Sequence, residues 1–304
     1  MISRPIDFDR IAESAHNCVY GGVGMTLVVS VRVPDGVVIG ADSLSTLAMQ
    51  HTATASGPVQ CPKCGEEHQV SLEVALPRGV GTLSTLPSAL KLMPLWGRFG
   101  VATYGNSMIG EHSMFALIQE FQKEHEFSDL EEAANGLGEW LQRRFAETVE
   151  IDDLADDSFA FGFHVSGHRD GHPLTATTRV AKQVTTRLLD GFGATIDGET
   201  SVVTQMWGLK KEQPQMAATY QAWSVSDAAD YVEFLISLTA NSQRFGLMVP
   251  TVGGDIDIGL VMPQNSFRWM KQKALAKLLL EEVNHGHDTG EPGATADVSG
   301  SSAS

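Results

Sequence analysis

The run from Met25 to Asp42, MTLVVSVRVPDGVVIGAD, restricts this chain more than any other stretch. Two valine-rich arms flank Pro34-Asp35-Gly36, which is tight-turn chemistry, so the pattern predicts an antiparallel β-hairpin. A threonine follows the methionine at the head of the first arm. An aspartate closes the second arm, where a buried strand would end. Such a hairpin is either plain structure or a frame that presents a hydroxyl and a carboxylate for chemistry.

A chain of 304 residues, 42% of them hydrophobic, can bury one large core or two modest ones. The charge balance is 21 basic against 37 acidic residues, a net of −16. That balance argues against non-specific binding to nucleic acid or to an anionic membrane, both of which need positive surface. No apolar run reaches the roughly 18 residues a membrane-spanning helix needs. Asp7, Asp9 and Glu13 break the basic-then-apolar order of a signal peptide. Three cysteines do not make a disulfide framework. The expected location is cytoplasmic.

Residues 1–25 show neither helical nor strand periodicity. Three readings stand: a propeptide, a start codon placed ahead of a true start at Met25, or a disordered leader. Residues 43–87, rich in Ser, Thr, Gly, Pro and Ala, are expected to form an irregular excursion from the main domain, taken as 26–284. Inside the excursion, Cys61-Pro-Lys-Cys64-Gly65 with His68 close behind is half of a zinc ribbon. The two-residue spacing lets both thiolates reach one tetrahedral ion. Cys61, Cys64 and His68 are therefore the candidate ligands of a structural zinc, against the plainer reading of a metal-free loop.

Phe99–Gly105 reads as a short buried strand. Met114, Leu117, Ile118 and Phe121 share one helical face, as do Ala133, Leu137, Trp140, Leu141 and Phe145, with Ser128 or Asp129 as the N-cap of the second helix. Residues 158–166 alternate as a strand with 174–180 as partner, which sets His164 and His168 about the strand end, as metal ligands or, on the favoured reading, as partly exposed turn residues. A helix is expected near 199–207, another on the stripe Ala228–Thr239, a strand from Thr251 to Met262, and a last amphipathic helix over 266–283. Residues 285–304 have the composition of a disordered tail. Strands and paired helices in this order predict a layered α+β fold.

Counted from Thr26, TLVVSVRVPDGVVIGAD resembles the opening hairpin of the proteasome β-subunit superfamily, of the bacterial HslV and ancestral β-subunit kinds. Ser237–Arg244 followed by Pro250–Asp257 is similar to the closing helix and strand of the ancestral subunits. The resemblance covers about half of the chain. It implies a four-layer αββα sandwich of the N-terminal nucleophile hydrolase type. It further implies Thr26 as nucleophile, Asp42 and Lys91 as the charged pair beside it, and Gly105 as the oxyanion-hole glycine. Asp197 is a candidate for the supporting aspartate. A homo-oligomeric ring, a peptide or amide substrate and no required cofactor follow from the same likeness. The chain departs from the family at Met25, where self-processing precursors carry glycine, and at Leu27, where threonine is common.

The chemistry accounts for the residue types. A threonine hydroxyl is barely ionised near neutrality, and a free α-amine on the same residue supplies a base of reference pKa about 7.7–8.0. A lysine beside the hydroxyl favours its deprotonation. A glycine lets a backbone N–H approach the developing oxyanion. Each residue also has a plain reading: Thr26 as a β-former, Asp42 as a strand-end turn residue, Lys91 as a surface lysine, Gly105 as a strand terminus. Two further expectations of function remain: a catalytically silent relative kept for assembly or binding, and a small-molecule amidohydrolase.

Overall fold

The computed structural model describes residues 26–49, 52–60, 67–75, 81–148, 160–212, 218–246, 250–264 and 266–273. In chain order the strands are β1 (Leu27–Val33), β2 (Gly36–Asp42), β3 (Ser45–Met49), β4 (Thr52–Gln60), β5 (Glu67–Ala75), β6 (Gly81–Leu86), β7 (Leu92–Leu95), β8 (Phe99–Gly105), β9 (Met108–Ile109) and β10 (His112–Ser113). Helices α1 (Met114–Glu124) and α2 (Leu130–Ala146) follow, then β11 (Phe161–Arg169), β12 (His172–Val180), β13 (Val184–Leu189) and β14 (Gly193–Gly198). The chain continues with α3 (Ser201–Glu212), α4 (Val225–Arg244), β15 (Ile256–Met262) and β16 (Ser266–Lys271).

The hairpin forms as its sequence requires, with Val33 opposite Gly36. Every residue of β1 and β2 is buried, on both faces. Leu27, Val29, Val31 and Val33 pack with Val232, Leu235 and Ile236 of α4. Val28 turns the other way, toward Leu92, Ala102 and Tyr104 of a second sheet. The unbroken run of apolar residues is thus the signature of a central strand covered twice. Close packing of α4 explains Gly40, where a Cβ would collide with the Val232 side chain.

Two five-stranded antiparallel sheets carry the molecule, ordered β14-β1-β2-β15-β16 and β13-β12-β11-β8-β7. The second sheet buries Phe99, Phe161, Phe163 and Val165 against α1 and α2. Helix α2 is fixed by its cap, since Asp129 accepts from the N–H groups of Glu131 and Glu132 at 2.9 and 3.1 Å. Arg169 at the end of β11 grips the same carboxylate through Nε and a terminal nitrogen, both at 2.9 Å. Helix α4 opens with a capping box between Ser224 and Asp227. Met206, Trp207, Phe267 and Trp269 pack against the cores.

The expected four-layer αββα sandwich of the N-terminal nucleophile hydrolase type is corrected. Antiparallel strand dominates the described residues, with sixteen strands to four α-helices. Three of the five sheets are two-stranded ladders outside the main pair. Two of these ladders, β3–β6 and β4–β5, occupy the segment expected to be irregular. The last helix expected over 266–283 begins instead as β16, because Phe267 and Trp269 alternate toward the space between the sheets; residues 274–283 lie outside the described residues. The expectations for residues 1–25, the Cys61-Cys64 pair and the 285–304 tail also fall outside them.

Candidate active site

Asp42 is the hub of the site. Its carboxylate is fully buried and accepts N–H donors from Leu27 at 3.1 Å, Leu44 at 3.0 Å and Gly253 at 3.0 Å. Lys91 Nζ lies 3.3 Å from each of its oxygens and donates to the Leu44 carbonyl at 2.5 Å. Lys91 is only 4% exposed, which rules out the surface-lysine reading. Burial pushes the Asp42 carboxyl above its ordinary range and the Lys91 ammonium below its own. Their mutual attraction and the backbone donors on Asp42 oppose both shifts. A lysine that holds its proton less firmly than usual is suited to sharing one.

The loop before β15 completes the enclosure. The Gly253 carbonyl accepts from both Ser43 and Leu44 at 3.1 and 2.9 Å, and the Ser43 hydroxyl donates to the Asp255 carbonyl. Gly254 adopts φ +72°, and a Cβ there would press on the Pro87 carbonyl at 2.7 Å. The Val-Gly-Gly-Asp segment therefore acts as a backbone clamp on the end of β2.

Thr26 sits at the mouth of β1 and is 1% exposed. The adjoining N–H, that of Leu27, binds Asp42, so the Asp42–Lys91 pair is one residue away along the backbone. The Thr26 carbonyl accepts from Glu199 N at 2.9 Å. Gly198 has φ +90°, and a Cβ on it would fall on that carbonyl, so only glycine permits β14 to approach here. Gly105, with φ +87°, ends β8 two residues after Thr103, whose N–H donates to the Lys91 carbonyl at 2.9 Å. The structure thus joins Asp42 directly to Lys91, Thr26 through the next residue, and Gly105 through the Lys91–Thr103 link.

A second polar cluster lies between the sheets and was not legible as a unit. Ser30 Oγ is 2.9 Å from His164 Nδ1, and His164 Nε2 is 2.9 Å from an Asp197 carboxylate oxygen. Ser166 donates to Ser30 at 3.2 Å and lies 3.2 Å from the Thr175 hydroxyl. His164 is 0% and His168 3% exposed, and β11 runs through both. The expectation of partly exposed turn histidines is corrected: the turn comes later, at Asp170-Gly171. Ser30, His164 and Asp197 have the composition of a serine-hydrolase triad, with Ser30 in the middle of β1 between the two sheets rather than at a strand end. A second buried ion pair, Lys273–Asp257 at 2.9 Å, flanks the site, and Lys273 also donates to the Ala89 carbonyl at 2.5 Å.

Of the expected zinc ligands, Cys61 and Cys64 lie outside the described residues, and His68 is placed by its backbone alone, in β5. No group of three or more metal-ligating side chains occurs among the described residues. No described helix is long and apolar enough to cross a membrane. No protein-family model matches the chain, and no curated protein matches it.

Proposed function

We propose that the protein is a threonine hydrolase that cleaves peptide or amide bonds, with Thr26 as nucleophile once its nitrogen is free. One observation carries the reading: a fully buried Asp42–Lys91 pair held against the N–H of the residue next to Thr26. Burying an ion pair beside a plain strand terminus has no structural necessity, because well-packed apolar side chains of similar volume are often as stable.

In the proposed reaction the freed α-amine of Thr26 takes the hydroxyl proton, and Oγ attacks the substrate carbonyl. Lys91 supplies positive charge beside the nucleophile, and Asp42 fixes that lysine. The Gly105 N–H is the candidate oxyanion donor, a contact typically worth about 10²–10³ in rate. The tetrahedral adduct collapses to an acyl-enzyme ester as the C–N bond breaks and the Thr26 ammonium passes its proton to the leaving amine; a water that the freed amine activates then hydrolyses the ester, releasing the acid and restoring the hydroxyl. The sequence likeness to proteasome β-type subunits supports this assignment and, with it, a homo-oligomeric ring in the cytoplasm. No cofactor enters the chemistry.

The test couples intact mass to activity. Protein made in its own host is expected to begin at Thr26 and to cleave fluorogenic peptidyl amides. Thr26→Ala is expected to lose at least about 10³-fold in kcat, leaving only binding and oxyanion stabilisation, while Thr26→Ser retains part of the rate. A working protein that keeps residue 25 joined to Thr26 would refute the mechanism and favour a silent subunit, a reading that Met25 in place of glycine also favours. Turnover of small acyl amides with none of peptides would move the substrate to the small-molecule class.

A further inference from the structure

Asp42 and Lys91 are 49 residues apart, with the β3–β6 and β4–β5 ladders between them, so the base of that excursion has to be closed before they can meet. The closing contacts converge on one residue, Ala89. Its N–H donates to the Ser43 carbonyl at 2.9 Å, which ties the way out of the excursion to the way in. Its carbonyl accepts from Lys273 Nζ at 2.5 Å. Lys91 follows two residues later, and the Thr103 N–H takes its carbonyl. Anchored on both sides in this way, the backbone leaves Lys91 little choice of where its side chain begins.

Lys273 is fixed in its turn. Its side chain is 3% exposed, and Asp257 accepts from it twice, from Nζ and from the backbone N–H, both at 2.9 Å. Asp257 stands opposite Ala41 in the β2–β15 ladder, one pair along from Asp42 opposite Ile256. Directly opposed residues share a face of their sheet, and Ala41 packs with Leu92 and Ala102 of the other sheet. Asp257 therefore looks into the space that β7 enters just after Lys91. Lys91 and Lys273 are the buried lysines among the described residues, and each is kept by a carboxylate of its own. A neutral donor would suffice to hold one carbonyl, so a second buried cation calls for a reason.

We propose that Lys273 is a positioning residue for Lys91: it fixes the Lys91 ammonium through the Ala89 peptide and sets a second cation against it. The proposal rests on the reading that Lys91 lends its charge to Thr26. Burial holds the Lys91 ammonium below its ordinary range; Asp42 opposes that effect and Lys273 adds to it. The other charged or titratable groups about Lys91 are Asp257 of β15, Asp255 of the loop before it, the freed Thr26 amine, and Tyr104 of β8, whose phenol is pushed up by burial. Lys273 brings down the pH at which Lys91 gives up its proton, and Asp257 moderates that repulsion.

The experiment is the pH–rate profile of mature protein on a peptidyl amide, for the wild type, Lys273→Met and Asp257→Asn. Loss of the Lys91 proton gives the alkaline limb of kcat. Lys273→Met removes the repelling cation, so that limb should rise by about half a pH unit or more. In the same variant kcat should fall about ten- to a hundredfold with KM little changed, as Lys91 loses its placement. Asp257→Asn leaves the cation without its anion, and the limb should move down by a similar amount. Opposite shifts from the two halves of one ion pair are not what loosened packing produces. If Lys273→Met fails to fold, the double variant with Asp257→Asn leaves no charge buried alone and should show the same fall in kcat; wild-type kcat there overturns the proposal. An active wild type whose alkaline limb is unmoved in both single variants also overturns it and leaves the Thr26 reading standing. Full activity in Lys91→Met overturns both.

Discussion

The Asp42–Lys91 pair can be tested by stability alone, apart from any activity. Both side chains are essentially out of water, at 0% and 6% exposure, with Nζ 3.3 Å from both carboxylate oxygens. At that separation the Coulomb attraction is about 5 kcal/mol for an effective dielectric near 20, before the cost of desolvation is set against it. Lys91→Met leaves a buried anion, a change that typically costs about 3–5 kcal/mol. Three backbone N–H donors remain on Asp42, so the low end, about 3 kcal/mol, is expected. Asp42→Asn should cost more, about 4 kcal/mol, because three N–H donors then face an amide that can spare fewer acceptors while the buried Lys91 loses the anion that favoured its charged form. The double variant, with neither charge present, should lose clearly less than the sum, by at least about 1.5 kcal/mol. Urea unfolding followed by tryptophan fluorescence measures all four proteins, provided the slope m stays constant. Additivity within about 0.5 kcal/mol would refute the claim that the two groups support each other.

Three further outcomes are expected. Gly198→Ala should cost more than about 3 kcal/mol and displace Thr26, since its Cβ has no room beside the Thr26 carbonyl and φ is +90°; a Tm within a degree or two of wild type would contradict this. Asp129→Ala should cost about 1–2 kcal/mol through the lost α2 cap. That carboxyl is held below its ordinary range: burial raises it, but the Glu132 and Glu131 N–H groups and Arg169 outweigh that effect. Its contribution is therefore present above the unfolded pKa and fades as pH falls through the lower folded value, and acid titration of stability should flatten there in the variant. Burial lowers His168 to about 4 from an ordinary 6.5. The unfolded chain thus binds a proton between those values that the folded one does not, and up to about 3 kcal/mol of stability should be lost as pH drops through that window. His168→Phe should remove that dependence in chemical denaturation at pH 4.5 and 7, and an unchanged slope would argue against a neutral buried imidazole.

Local features were readable from sequence, and long-range ones were not. The hairpin declared itself because valines fill both faces of β1 and β2 around a turn that tolerates little else. Helices α1 and α2 showed their apolar stripes, and Asp129 its cap. The β16 segment misled because Phe267 and Met270 fall at helical spacing, whereas sheet packing uses Phe267 and Trp269, which alternate. Ser, Thr and Ala at low hydrophobicity concealed the β3–β6 and β4–β5 ladders. At the site, Asp42 and Lys91 were legible through the resemblance. The Ser30–His164–Asp197 chain was not, since its members are separated by 134 and 33 residues and meet only once two sheets face each other.

Lys273 has a practical bearing on where the polypeptide can be shortened. It stands two residues past β16, yet its ammonium pairs with Asp257 and fastens Ala89, while its own N–H donates to Asp257 at 2.9 Å. Trimming at Lys271 would spare every described strand and still leave a carboxylate unpaired in the dark beside the Asp42 enclosure. A tail that looks expendable by secondary structure is therefore a keystone by electrostatics.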